Sequence, residues 1–281
     1  MSADRPTALI AEDEPLLAQA LQAELPHEHF VYLADNAHAP YGEKSDLYVR
    51  QRTHAITQYL IRQHDIKALV VACNTATAAA IHELRTQHPH LPLVGVEPAL
   101  KPAAQITRTG RVGVMATRGT VGSEKFARLL GSLQDQAQFE VCACNGLALA
   151  IEQSTLPSHQ SAAEAEVSRL LQVYTQTMGP FGSGPDEMDT LVLGCTHYVF
   201  AQEALQQLVG PRVQLVSTGE PVARQTHRLL ESRQLLSHQA APQSSSGRLQ
   251  LFTTGHLPGL KAAAQRWLQL NASHCHQASG I

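Results

Sequence analysis

The stretch ALVVACNTATAAAIHEL (Ala68–Leu84) decides how the chain is read. Five apolar residues run straight into Cys73, then Asn74 and Thr75, then an alanine-rich segment. The apolar run has the length and lack of alternation of a strand covered on both faces, and the alanines favour a helix. The thiol therefore stands where a buried strand hands over to a helix. A second stretch, DTLVLGCTHY (Asp189–Tyr198), repeats the arrangement nearly half a chain later, with Cys195 in the place of Cys73.

Working outward, short β-rich runs recur along the chain: TALIA, FVYLAD, IKALVVAC, LPLVGVEP, RVGVMAT, FEVCAC, DTLVLGC, VQLVST and LQLFTTG. Helical patterns such as LYVRQRTHAITQYLIRQH and AEAEVSRLLQVYTQTM lie between them. Alternating β and α units predict an α/β fold of mainly parallel sheets flanked by helices. At 281 residues the chain is long for one core, so two similar domains are expected. The division is drawn at 1–98 plus 209–281 for the first, carrying Cys73, and 99–208 for the second, carrying Cys195. Gly179–Asp189 (GPFGSGPDEMD) reads as a connection inside one half, and His238–Arg248 (HQAAPQSSSGR) as a polar loop before the last strand.

With 43 % hydrophobic and 16 % charged residues and a net charge of −3, composition gives no footprint for nucleic acid or an anionic membrane, so a small-molecule partner is expected. No apolar run approaches the roughly 20 residues of a membrane span, and the opening MSADRP is polar. The expected compartment is the cytoplasm. Five cysteines in such a chain are not a disulfide framework. Cys142 and Cys144 are one residue apart rather than at zinc spacing, and no metal site is read. Those two read as packing residues, and Cys275 near the terminus as exposed and inert.

Ligands of α/β sheets sit beyond the carboxyl ends of the strands. A helix start lowers the pKa of a thiol, so Cys73 and Cys195 can each be thiolate or thiol near neutrality. If the two halves face each other, the sulfurs look across one cleft, which would hold the active site. Two such groups on opposite sides of one carbon act as base and acid and invert a stereocentre without a cofactor.

At these residues the chain resembles a known family. YLADNAHAPYGEKS, VVACNTATAA, GVEPALKPA, VGVMATRGTV and LVLGCTHY, in this order, resemble glutamate racemase from about Ala23 onward. The resemblance implies cofactor-independent racemisation of glutamate, supplying D-glutamate for peptidoglycan. Cys73 would be the base toward D-glutamate and Cys195 the base toward L-glutamate, with His197 assisting the second thiol. It further implies that Tyr41 and Gly42 contact substrate through backbone amides, and that Asn74, Thr75 and Thr196 bind the α-carboxylate and amine. Thr117 and Thr120 would serve the distal carboxylate or the wall of the second domain. Glu152 falls near a family acid that supports the second thiol; a solvated helix position is the other reading, as a surface histidine is for His197. Family members are often dimers, so a homodimer is among the expectations.

The opening departs from the family, which carries a Gly-rich DSGVGG loop after its first strand. Counted back without a gap, those positions are Leu9, Ile10, Ala11, Glu12, Asp13 and Glu14, and no glycine precedes Gly42. TALIAEDEPLLAQALQAEL instead resembles the start of a response-regulator receiver domain, although no phospho-acceptor context follows. Glu12, Asp13 and Glu14 would bring negative charge toward an anionic substrate. One such repulsion at about 4 Å and an effective dielectric of about 20 is worth roughly 4 kcal/mol before screening. Two alternatives stay open: a racemase scaffold disabled by this opening, and a sister racemase acting on aspartate or a hydantoin. A second departure is Val199, where the family usually has proline and a local loop change is expected.

Overall fold

The structure is a computed structural model that describes residues 5–11, 16–154, 160–237 and 249–281. It divides into two units, one of residues 1–41, 45–96 and 219–281 and the other of 42–44 and 97–218. Each is built around a parallel sheet.

The first unit holds β1 (Thr7–Ala11), β2 (Phe30–Ala34), β3 (Ala68–Val71), β4 (Leu93–Gly95), β9 (Leu249–Thr253) and β10 (Cys275–Gln277). Their order is β10-β9-β2-β1-β3-β4, and every pairing is parallel. Strand side chains alternate between the two faces, and here both faces are apolar because both are covered. Leu9, Phe30, Tyr32, Val70 and Leu251 enter one core with α1 (Leu16–Glu24) and α10 (Gly219–Ser232). Their neighbours Ala8, Val31, Leu33, Leu69 and Val71 enter the opposite core with α2 (Asp46–His64) and α3 (Asn74–Gln87). This double cover is why the strands read as unbroken apolar runs.

The second unit holds β5 (Arg111–Ala116), β6 (Gln138–Ala143), β7 (Thr190–Gly194) and β8 (Gln214–Val216), in the order β6-β5-β7-β8, again all parallel. Val112, Val114 and Val192 pack into one core, and Met115, Leu191 and Leu193 into the other. The second core also takes α7 (Leu147–Ser154), α8 (Gln160–Met178) and α9 (Gln202–Val209).

Two readings of the sequence are corrected here. The chain returns to the first unit at Gly219 rather than at 209, because β8 pairs with β7 and so belongs to the second sheet. Cys275 is buried rather than exposed, because the terminal segment forms β10 beside β9. Gly179–Asp189 lies inside the second unit as expected, whereas residues 238–248 and the acidic Glu12, Asp13 and Glu14 lie outside the described residues.

At the amino ends of β2 and β3 the first unit encloses a charged pair. Lys67 Nζ lies 2.7 Å from a Glu28 carboxylate oxygen and donates to the Leu235 carbonyl (2.7 Å) and the Ser237 hydroxyl (3.2 Å). The Ser237 amide donates to the other Glu28 oxygen (2.8 Å). Lys67 is fully buried and Glu28 nearly so, so the pair ties the chain after α10 beneath the sheet. Glu28→Ala should destabilise the protein by about 3–5 kcal/mol, because an uncompensated buried ammonium remains. Combining it with Lys67→Met should recover much of that loss, read from urea unfolding midpoints.

In the second unit Asp189, just before β7, accepts from the Thr107 hydroxyl (2.6 Å), the Arg108 and Thr109 amides (2.7 and 3.2 Å) and the Thr190 hydroxyl (3.0 Å). Burial alone would raise its pKa, but these hydrogen bonds outweigh burial and hold the carboxyl below its ordinary range. A depressed folded-state pKa contributes stability above the unfolded-state value, and that stability is lost as pH falls through the folded-state value. Thermal unfolding followed from about pH 7 down to about pH 3 should therefore fall less steeply for Asp189→Asn than for the unaltered chain.

Candidate active site

In the first unit β3 ends at Val71, and Cys73 is the cap residue of the 14-residue helix α3. Its backbone is extended, at φ −137° and ψ 128°, and its sulfur accepts the Ala76 amide at 3.4 Å. A sulfur in that position faces the positive end of the helix, which favours negative charge on it. Asn74 and Thr75 form the first turn and are buried. Neither polar atom of the Asn74 amide has a hydrogen-bond partner among the described residues. Buried polar atoms are rarely left so, and an amide beside a strand-end thiol is where a ligand would complete the set. Thr77, one turn on, fixes the local backbone. Its hydroxyl donates to the Val71 carbonyl (3.1 Å) and accepts the Val96 amide (3.0 Å), which joins the ends of β3 and β4.

β1 lies beside β3, with Ile10 opposite Val71. The chain therefore leaves β1 at Ala11 next to the sheet end that carries Cys73. Beyond β2, Asp35 is fully buried. It accepts a bidentate pair from Arg52 (Nε 3.1 Å, Nη2 2.8 Å), the Thr254 hydroxyl (2.7 Å) and the Tyr41 hydroxyl. Burial would lower the Arg52 pKa, but the hydrogen bond and charge of Asp35 prevail and raise it. The Tyr41 ring is thus held inside its own unit, which suits the expected backbone role. Asp35 and Arg52 went unnoticed in the sequence, although an aspartate ending FVYLAD and an arginine on the following helix were visible signals.

In the second unit Cys195 follows β7 and begins a six-residue 3-10 segment, Thr196–Ala201. Its backbone, at φ −136° and ψ 138°, nearly repeats that of Cys73. The two sulfurs are served differently. Cys195 has no cap bond to a helix amide; its Sγ lies 3.8 Å from His197 Nδ1. His197 is 1 % exposed, so it is not a surface histidine. Gly194 has no room for a side chain, since a Cβ there would come within 2.8 Å of the Met115 carbonyl oxygen. Tyr198 donates its hydroxyl to the Cys144 carbonyl (3.3 Å). Burial, followed by the nearby Cys195, holds the Tyr198 hydroxyl un-ionised, well above its ordinary pKa.

Thr196, Thr117 and Thr120 are buried. Thr117 caps α5 (Arg118–Val121), its hydroxyl accepting the Thr120 amide (3.3 Å) and donating to the Thr120 hydroxyl (3.0 Å). A Cβ on Gly42 would lie 2.7 Å from the Thr117 side chain, so the glycine permits close approach to Thr117. Glu152 is half-buried on α7, whose helix packs on the Thr196–Ala201 segment. Val199 lies inside that segment, where its carbonyl accepts the Gln202 amide.

Comparison with known proteins decides the family. Residues 15–226 match the model of the Asp/Glu/Hydantoin racemases. The chain belongs to that family. A glutamate racemase of Ectopseudomonas mendocina is 48 % identical over 229 residues, covering 80 % of this chain and 82 % of its own. The structure of a glutamate racemase isoform from Bacillus anthracis superposes with a TM-score of 0.82 at 26 % identity, covering 100 % and 98 % of the two chains. The Escherichia coli glutamate racemase, in complex with L-glutamate and the activator UDP-MurNAc-ala, gives 0.78 at 30 % identity, covering 99 % of each chain. The family match opens at residue 15, after the acidic Glu12, Asp13 and Glu14.

The orphaned Asn74 amide yields a test that separates binding from folding. Asn74→Ala should leave the ligand-free protein as stable as before or more stable by about 1 kcal/mol, since an unsatisfied buried amide is removed. The same variant should lose the rise in melting temperature that L-glutamate gives the unaltered chain.

Proposed function

We propose that this chain interconverts L- and D-glutamate by proton transfer at the α-carbon, with Cys73 and Cys195 as the two acid/base groups and no cofactor. The observation that carries the reading is the pair of strand-end thiols in nearly the same backbone conformation, one held by a helix amide and one by a histidine. The names of its relatives support glutamate as substrate. Cys73 is the base toward D-glutamate and Cys195 the base toward L-glutamate. One sulfur takes the α-proton, leaving a carbanion next to the carboxylate, and the other returns a proton from the opposite side. His197 carries the proton to and from Cys195, and Glu152 supports that traffic.

Asn74, Thr75 and Thr196 hold the α-carboxylate and amine, where donors stabilise charge that builds during transfer. Thr117 and Thr120 serve the distal carboxylate, and the backbone of Tyr41 and Gly42 completes the set. No group of three or more His, Cys, Asp or Glu among the described residues could hold a metal ion. No helix among them is long and apolar enough to cross a membrane. The reading extends to a cytoplasmic protein, working as a homodimer, whose D-glutamate feeds peptidoglycan synthesis.

Incubation with L-glutamate in D₂O should place deuterium at Cα and abolish optical rotation. Cys73→Ala and Cys195→Ala should each stop net inversion. Deuterium exchange that survives the double substitution sinks the two-thiol mechanism, and aspartate run in parallel checks the substrate.

A second reading is favoured by the acidic Glu12-Asp13-Glu14 run ahead of the family match. Here the chain is a glutamate-binding scaffold whose turnover is lost. Because Leu9–Ala11 belong to β1 rather than to a loop, the test replaces only Glu12–Glu14, by glycines, which should then raise turnover by orders of magnitude, whereas normal turnover by the unmodified chain overturns it.

A further inference from the structure

Neither Cys142 nor Cys144 has a part in this proton transfer, yet the second unit sets them side by side. β6 is an edge strand ending at Ala143, and the Cys144 amide continues its pairing to the Ala116 carbonyl (2.8 Å), so Cys142 and Cys144, two apart, face the same way. Cys142 accordingly packs against the core cluster that contains Cys144, while Phe139 and Val141 pack into the opposite one. The Cys144 sulfur lies 3.6 Å from the Cys142 carbonyl oxygen. Cys142 is half-buried at the sheet edge and Cys144 is buried behind it. An accessible thiol with a second thiol one residue beyond the next is the layout of an attacking and a resolving cysteine.

We propose that Cys142 and Cys144 form a reversible oxidation site that consumes a hydroperoxide and closes to a disulfide. The Cys142 thiolate forms a bond to one peroxide oxygen as the O–O bond breaks, and the other oxygen leaves as hydroxide and is protonated to water. The Cys144 sulfur then bonds to the Cys142 sulfur as its S–O bond breaks, and the departing hydroxide takes the Cys144 proton. Two thiols and one hydrogen peroxide thus give one disulfide and two waters. The electrostatics favour this division of roles. The neighbouring Cys144 thiol holds the Cys142 thiol below its ordinary pKa, against burial and the nearby Glu140. The same neighbour, followed by burial, keeps Cys144 protonated.

Extended geometry separates alternate Cα atoms by about 6.6 Å, near the upper end of the range a disulfide spans. The closed form is therefore stretched and readily reduced. Closure also pulls on a braced backbone. The Cys144 carbonyl accepts Tyr198, the residue after His197, and the Asn145 carbonyl accepts the Tyr174 hydroxyl (2.5 Å).

The test is peroxide treatment of the full chain followed by non-reducing tryptic mass mapping. Cys142 and Cys144 are the two cysteines of the single tryptic peptide Leu129–Arg169. That peptide should lose two hydrogens before the Cys73 and Cys195 peptides change, and a dithiol should restore them. In Cys144→Ser the closure should fail and dimedone should label Cys142; in Cys142→Ser the peptide should stay reduced. Oxidation that begins at Cys73 or Cys195, or that adds only oxygen atoms to Leu129–Arg169, overturns the proposal. The readout is mass, so it stands or falls separately from racemisation.

Discussion

Every central strand of this protein is pressed between two apolar layers, and that constraint governs where polar chemistry can occur. Leu69 and Val70 are successive residues of β3, yet they serve opposite cores. Leu191 and Val192 of β7 do the same. A strand covered on both faces can present a reactive group only where it ends, at the handover to the next helix. Cys73 and Cys195 occupy those handovers.

The same geometry explains why two cysteines in matching positions are not equivalent. α3 is long enough for a substantial N-terminal field, and the Ala76 amide points at the Cys73 sulfur. The 3-10 segment after β7 is short and gives Cys195 no such amide, so His197 lies beside the sulfur instead. One sulfur has a backbone amide for its neighbour and the other a histidine ring. The buried networks at Asp35 and Lys67 serve a different end. Each joins segments far apart in the chain, Tyr41 with Thr254 in one case and Glu28 with Leu235 in the other. They settle where loops lie.

Much of the fold was legible because apolar runs report burial directly. All nine expected strands occur, and the α/β architecture with parallel sheets follows from their alternation with helices. β10 was missed because Cys275–Gln277 is three residues long and includes His276 and Gln277, so no apolar run marks it. The boundary at 209 failed for a related reason. VQLVST announces a strand but not which sheet it joins, and pairing with β7 is a long-range fact.

The site shows the same division. The strand-thiol-helix pattern, the order of the motifs and the family they resemble belong to the sequence alone, because local propensity and spacing encode them. The tertiary structure alone decided that His197 is buried beside Cys195, that Gly42 makes room for Thr117, that Asp35 gathers Arg52, Tyr41 and Thr254, and that the Asn74 amide finds no partner among the described residues. Those are contacts between residues distant in the chain or closed off from water. Side-chain direction and burial are set by how the layers pack, and no window of sequence contains that information.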